Sequence, residues 1–253
     1  MDKKTHQIDL NKIGFADFHT HILPKMDDGS HGTLESVEML CAMRDQGIRR
    51  VVATSHFYPE TEDPHKFLSR RRVAIEALAK RIEESEHEGL PTVYAGAEVA
   101  YFDGISTSQM VGELCIEGTN LLLVEMPFRR WSHAVVEEIC YLVENTEIRP
   151  VIAHIERHFP YCRNAMIKYL ASKGVLIQSN ASAFINKLTR HRAAKLVKEG
   201  VITLIGSDCH NLTDRAPNVD KGAEELVRLV GKERLVKLAE LGQSVLDTAT
   251  PIG

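Results

Sequence analysis

Two periodicities alternate along the chain. Short apolar runs at 14–19 (GFADFH), 50–55 (RVVATS), 92–98 (TVYAGAE), 120–125 (NLLLVE), 149–153 (RPVIA), 175–179 (VLIQS) and 201–207 (VITLIGS) read as strands. Amphipathic stretches between them read as helices: 33–46, 132–145 opened by Ser132, 161–172, 189–199, and 220 onward with a break at Gly231. A longer one starts at Asp63-Pro64 and runs to about 88. Gly47, Gly174 and Gly200 each follow a helix, where a left-handed residue ends the spiral. Segment 104–118 is weaker and reads as a short helix plus loop. Seven strand–helix units with near-continuous apolar strands predict an α/β protein with a parallel sheet covered by helices, a barrel ahead of an open doubly wound sheet. The discriminator is where polar groups fall, because barrel enzymes gather functional residues at the C-terminal ends of many strands.

Length and composition agree with one large domain: 253 residues and 43% hydrophobic content suit an α/β barrel. A net charge of −4 and pI ≈ 6.3 give no electrostatic footprint for nucleic acid or an anionic membrane. No apolar run approaches the roughly 18 residues of a membrane span, and MDKKTHQIDLNK is not a signal peptide, so a cytoplasmic protein without membrane insertion is expected. Five scattered cysteines, at 41, 115, 140, 162 and 209, form no C-x-x-C pair and fit a reducing compartment.

The strand ends carry the chemistry. In FADFHTHILPKMDDG, alternation puts Asp17, His19 and His21 on one face and Phe18 on the other, and Gly29 permits a sharp turn that brings Asp28 back. His56, Glu98, Glu125, His154, Asp208 and His210 end later strands. Five of the 12 histidines fall at such ends. Singly, each has a plain reading as a hydrogen-bonded histidine or a helix N-terminal charge. Together, nine nitrogen and oxygen donors exceed what one ion takes and point to two or three divalent metals. Asp17 is expected behind them, orienting a histidine.

Arg157 and Arg215 lie on loops leaving the same face, where a guanidinium fork suits a phosphate; the plain alternative is an ion pair with Glu156 or Asp214. Cys209 and Arg215 also spell C-x5-R, a cysteine-phosphatase spacing. That interval holds no glycine to let backbone N–H groups wrap a phosphate, and Cys209 should point away from a site formed by Asp208 and His210. The Phe128-Arg129-Arg130-Trp131 loop borders the face and can stack on an aromatic ring or meet acidic groups; packing of Trp131 into the rim is the alternative. Arg70-Arg71-Arg72 reads as a solvated helix face.

In order and spacing, DFHTHILPKMDDGS, VVATSHFYP, GAEV, LLLVEMPF, VIAHIERH, QSNASAF and GSDCHN resemble the PHP-domain phosphatases, specifically the manganese-dependent bacterial protein-tyrosine phosphatases of capsule and exopolysaccharide loci. The resemblance covers about residues 15–215 and implies a distorted, TIM-like (β/α)7 barrel in a single domain over 14–253, after an N-terminal extension over 1–13. By it, His19, His21, Glu98 and Asp208 hold a first metal, Glu98 bridges to a second held by Glu125 and His154, and Asp28, His56 and His210 hold a third. Arg157 and Arg215 match the arginines near the phosphate, and a metal-activated hydroxide is the nucleophile. The implied ion is Mn2+, with iron or zinc also compatible, and the implied partner is a phosphotyrosine protein, the tyrosine-rich tail of a bacterial tyrosine kinase. Departures are Ser55 and Ile155 where the family usually has proline, and the N-terminal extension. A small-molecule phosphatase acting on a histidinol-phosphate-like substrate and a non-catalytic metal-binding regulatory partner stand as alternatives.

Overall fold

A computed structural model describes residues 10–253. The expected extension over 1–13 falls mainly on residues outside that range. Its last part, α1 (Leu10–Ile13), buries Leu10 in the core, so the packed unit begins before Gly14.

All strands run parallel: β1 (Phe15–Thr20), β2 (Ile48–Ala53), β3 (His56–Phe57), β4 (Thr92–Ala95), β5 (Glu98–Ala100), β6 (Leu121–Glu125), β7 (Arg149–Ile152), β8 (Leu176–Asn180) and β9 (Leu204–Gly206). They form two ladders, β1-β2-β4 and β3-β5-β6-β7-β8-β9. The chain passes the sheet seven times, because β3 continues β2 beyond Thr54-Ser55 and β5 continues β4 beyond Gly96-Ala97. Gly96 N donates to Ala53 O (2.8 Å) and Glu98 N to Ser55 O (3.0 Å), joining the ladders. Asp208 N donates to His19 O (2.7 Å) and His21 N to Cys209 O (2.9 Å), so the last pass closes on the first. The expected distorted (β/α)7 barrel is what these bonds build.

Helices α2 (Thr33–Asp45), α3 (Pro64–Glu83), α4 (His133–Asn145), α5 (Asn164–Ser172), α6 (Ser182–Ile185), α7 (Arg190–Lys198), α8 (Val219–Val230) and α9 (Lys232–Ser244) follow the strands. Asp63 caps α3 by accepting from Lys66 N (3.2 Å), with Pro64 opening the first turn; Ser132 caps α4 through Val135 N (3.3 Å). Short 3₁₀ turns at Ile105–Thr107 and Gln109–Leu114 occupy the weak segment.

Two apolar layers sandwich the sheet. The larger joins one strand face to the helices, through Phe15, Val51, Val124, Ile152 and Ile177 among others. The smaller draws Ala16, Phe18, Val52, Leu121, Leu123, Val151, Leu176 and Leu204 from the concave face. At the strands' N-terminal ends this layer is covered by Leu246 and by the tail, where Thr250 N reaches Glu117 O (2.8 Å) and Ile252 N reaches Val93 O (3.0 Å).

No helix among the described residues is long and apolar enough to cross a membrane. The Arg70-Arg71-Arg72 run is not wholly solvated: Arg71 is buried, donating to Gly96 O (3.1 Å) and Glu117 Oε1 (3.2 Å), and so ties α3 to the interrupted strand.

Candidate metal centre

Ladder register decides which way the ligands face. His56 pairs with Glu98 and Glu98 with Leu123, while Leu123 pairs with Val151, both members of the concave layer. Paired residues share a face, so His56 and Glu98 look inward, and Glu125, two residues after Leu123, does too. In β1 simple alternation fails. Register shifts between Asp17 and Thr20 let Ala16 and Phe18 join the concave layer while His19 still reaches the site. At the far ends His154 (φ 27°) and Asp208 (φ 57°) take left-handed conformations that re-aim their side chains, a strain found where function requires it.

The nine expected donors converge. Three groups could each hold an ion: His19, His21 and Glu98; Glu98, Glu125 and His154; and His21, Asp28, His56 and His210. Glu98 belongs to two of them, as does His21. Asp208 stands beside the first, its Oδ1 at 3.7 Å from His19 Nε2 and 3.5 Å from His21 Nε2. Glu98 Oε2 lies 3.1 Å from His19 Nε2 and 2.9 Å from His56 Nδ1, and Glu98 Oε1 lies 2.7 Å from His154 Nε2. Spacings of this size suit donors sharing an ion about 2.1 Å from each. Glu98 Oε2, His56 Nδ1 and His210 Nε2 are buried without a hydrogen-bond partner, which a cation would answer. The first two groups are deep, whereas Asp28 is 64% exposed and opens the third to solvent.

Hydrogen bonds behind the rings fix their lone pairs. His210 Nδ1 donates to Asp208 O (3.0 Å), which turns Nε2 toward Asp28 at 3.3 Å. Burial, with His21 and Arg215 nearby, lowers His210 to about 4 and keeps it neutral. His21 Nδ1 donates to Asp27 Oδ2 (2.8 Å), leaving Nε2 to the centre. Burial opposes charge on His154, but Glu125 and Glu98 outweigh it and lift the ring to about 10. The same balance holds Glu98 well below the usual carboxylate range through His19 and His154. A pocket so rich in carboxylates suits a cation.

Asp27 was not foreseen. Its carboxylate also accepts from His56 N (2.8 Å) and Gly29 N (3.0 Å), tying three segments together. Gly29 is needed for close approach: a Cβ there would stand 2.2 Å from His21 O. Asp17, by contrast, orients no ring. It accepts from the backbone N–H groups of Ser207 (2.8 Å) and His19 (3.2 Å), stitching β1 to the loop after β9, and burial lifts it to about 6.

Both arginines meet Asp208, not Glu156 or Asp214. Arg157 Nη2 lies 2.6 Å from Oδ2, and Arg215 Nη2 lies 2.8 Å from Oδ1, with Arg215 Nη1 3.4 Å from Asp28. Asn180 Nδ2 adds a bond to Asp208 (3.0 Å), and buried Glu156 holds Asn180 N (3.2 Å). Cys209 is fully buried, and burial raises its thiol well above its ordinary value, so it offers no thiolate.

The aromatic loop divides. Phe128 is half exposed, with its ring 6.3 Å from His154 and 4.8 Å from His158; Arg129 and Arg130 are exposed. Trp131 is buried and donates Nε1 to Pro127 O (3.3 Å), which removes it as a ligand contact: it props the loop from below. Two further rings escaped the sequence reading. Tyr58 stacks on His56 at 5.2 Å, and His158 is buried with neither nitrogen hydrogen-bonded, pushed down to about 3 by burial, His154 and Arg157. Tyr58 follows His56 by two residues, a signal that alternation supplies; His158 and Asp27 had none stronger than proximity.

A family profile described as capsular polysaccharide synthesis, CpsB/CapC, matches residues 15–243. Tyrosine-protein phosphatase YwqE of Bacillus subtilis (strain 168) is 28% identical over 240 residues, 92% of each chain. Tyrosine-protein phosphatase CpsB of Streptococcus agalactiae is 28% identical over 255 residues, 91% of this chain and 97% of that protein. Among solved structures, YwqE from Bacillus subtilis and CpsB from Streptococcus pneumoniae, described as unique metal-dependent tyrosine phosphatases, match with a TM-score of 0.80 and 27% identity over 93% of this chain and 95% of that chain. Histidinol phosphate phosphatase from Lactococcus lactis shares the fold, with a TM-score of 0.57 at 13% identity. With the profile spanning nearly all of the barrel, the chain belongs to the CpsB/CapC family of capsular polysaccharide synthesis.

Proposed function

We propose that this protein is a metal-dependent phosphatase that hydrolyses phosphotyrosine on a protein, with manganese as the working ion and a bacterial tyrosine kinase of capsule or exopolysaccharide synthesis as the substrate. The observation that carries this reading is the convergence of nine imidazole and carboxylate donors on a concave face whose mouth is flanked by two arginines. His19, His21, Glu98 and Asp208 would hold one ion, Glu98, Glu125 and His154 a second, and Asp28, His56 and His210 a third. Mixed imidazole–carboxylate sets accept manganese, iron or zinc. When bound, such ions supply Lewis-acid charge and bring the pKa of water toward neutrality.

The chain's own groups account for the rest. Arg157 and Arg215 are forks able to orient phosphoryl oxygens and offset their charge as the transition state forms. Phe128 presents a ring face to a tyrosine side chain, and Arg129 and Arg130 present charge to acidic neighbours. A tyrosine leaves as a phenolate of pKa about 10, which needs less help from an acid than an alkyl alcohol does.

The test is phosphate release from a phosphotyrosine peptide by metal-stripped protein, with and without manganese, alongside Cys209→Ser. Manganese-dependent release that survives the cysteine change is expected. Metal-independent release that dies with Cys209 would overturn the proposal, and release from alkyl phosphates alone would favour a small-molecule phosphatase.

A further inference from the structure

Away from the metal centre, a groove of about 690 Å³ runs between the start of α2 and the face of α3. Its floor is Pro24–Met26, and its walls carry Leu34 and Val73, 57% and 60% exposed. Side chains so apolar and so open, lining one groove, mark a binding surface more than a random surface does. Among the described residues no aspartate or glutamate lines it, in a chain whose net charge is −4. Lys25 and Arg70 do. Arg70 is shared with Glu62 and the carbonyl of Met26, while Lys25 makes no ion pair among the described residues. On α3, Lys66, Arg70, Val73 and Ala77 follow one another at spacings of four, three and four, which aligns two cations and two apolar groups along one stripe.

The groove shares its floor with the site. The loop from Pro24 to Gly32 turns one side to the groove and, through Asp27 and Asp28, the other to the histidines; Lys25 N bonds Ser30 O (2.8 Å) and Ser30 N bonds His21 O (3.0 Å), which locks that loop to β1. A polypeptide reaching the metals with one phosphorylated side chain can therefore lie across this loop.

We infer that the groove docks an acidic segment of the protein substrate that carries an apolar or aromatic side chain, a reading that rests on the phosphatase acting on a protein. The apolar side chain sits between Leu34 and Val73, and flanking carboxylates meet Lys25, Lys66 and Arg70. A second copy of this chain fits less well, because a two-fold contact through the groove would set the same cations against one another.

The experiment compares wild type with the Leu34→Glu, Val73→Glu double variant, both positions being exposed enough to tolerate charge. Binding of an unphosphorylated random copolymer of glutamate and tyrosine is followed by fluorescence anisotropy, and p-nitrophenyl phosphate hydrolysis is followed in parallel. The expected result is binding weakened at least about tenfold, from lost apolar burial and added repulsion, with unchanged p-nitrophenyl phosphate kinetics. Equal copolymer binding by both proteins, or none by wild type, would sink the proposal. So would a wild-type dimer, seen by light scattering, that the variant abolishes. Failure of wild type to hydrolyse any phosphoester would count against the phosphatase reading, while the anisotropy result would still decide the groove.

Discussion

Along β6 the concave face reads Leu121, Leu123, Glu125, and these three positions divide the barrel into two layers that differ in nearly every physical respect. The lower layer, with Val151, Leu176 and Leu204 beside those leucines, is apolar and closed below by Leu246 and the C-terminal tail. The upper layer, one turn of the ladder higher, holds buried histidines and carboxylates, orphaned polar atoms and the two left-handed strand-end residues. Burying a polar group without a partner is costly, whereas burying a leucine contributes about 1.5–3 kcal/mol. The lower layer therefore supports the upper, and the fold tolerates a strained, charge-crowded rim because each strand continues downward into close packing.

If that division is right, damage to the two layers separates. Replacing both rim histidines, His19→Ala with His21→Ala, should lower kcat/KM by at least about 10³-fold, since the metals' charge stabilisation is worth several kcal/mol. Metal content measured by atomic absorption should fall with it, while the urea midpoint moves little. A variant that keeps its metal yet loses turnover would place the chemistry elsewhere.

The lower layer should do the reverse. Leu123→Ala removes a buried side chain from the centre of the concave layer and is expected to cost about 2–5 kcal/mol in denaturant unfolding. Folded variant should retain its metal and most of its kcat for p-nitrophenyl phosphate. Loss of metal at temperatures where circular dichroism still reports native helix would show that damage in the lower layer is transmitted to the rim, against the separation.

A finer probe acts from behind the rim. Asp27→Asn keeps the size of the side chain but weakens its charge-assisted bond to His21 Nδ1, and groups that orient a ligating histidine typically govern about 10–100-fold in metal affinity. Calorimetric titration with manganese should show that loss, and the thermal midpoint should fall as well, because both carboxylate oxygens accept N–H groups and the new NH2 must face one of them. An unchanged affinity would mean that His21 is positioned by its stacking on His210 (3.7 Å) instead.

The lower layer was legible in the sequence and the rim only partly so, for a physical reason. Apolar runs with helices between them are a periodic signal, and all seven strand passes lie where that signal puts them. What periodicity cannot show is where a strand stops being regular. The interruptions at Thr54-Ser55 and Gly96-Ala97, and the loss of strand over 201–203, where Val201 N turns back to Leu196 O (2.9 Å), depend on partners distant in sequence. Likewise the nine donors were readable as residue types at strand ends, but Asp27 and Asp28 stand side by side in one loop, and only the fold shows one carboxylate behind His21 and the other beside His210. Arg71 looks like a surface group in sequence and is buried, with neighbouring carbonyls accepting its N–H groups, while Trp131 takes the rim-packing alternative, its Nε1 donating to Pro127 O.

The smallest effect expected comes from the apolar surroundings themselves, away from the metal face. Burial pushes the thiols of Cys115 and Cys162 up to about 11 from an ordinary value near 9.0. A group whose pKa is raised on folding leaves the native state holding more protons than the unfolded chain, so its contribution is complete below pH 9 and is lost as pH rises toward 11. The thermal midpoint should accordingly decline between pH 8.5 and 10, below the range in which Tyr58 and Tyr101, both lifted by burial and by neighbouring carboxylates above their ordinary value near 10, begin to add their own losses. Cys115→Ala with Cys162→Ala should flatten that slope without altering metal affinity. A slope that persists in the double variant would move the alkaline sensitivity to Cys140, which burial also raises to about 11, or to the rim, and only the rim would extend the distinction between a quiet lower body and a titrating upper face to stability as well as catalysis.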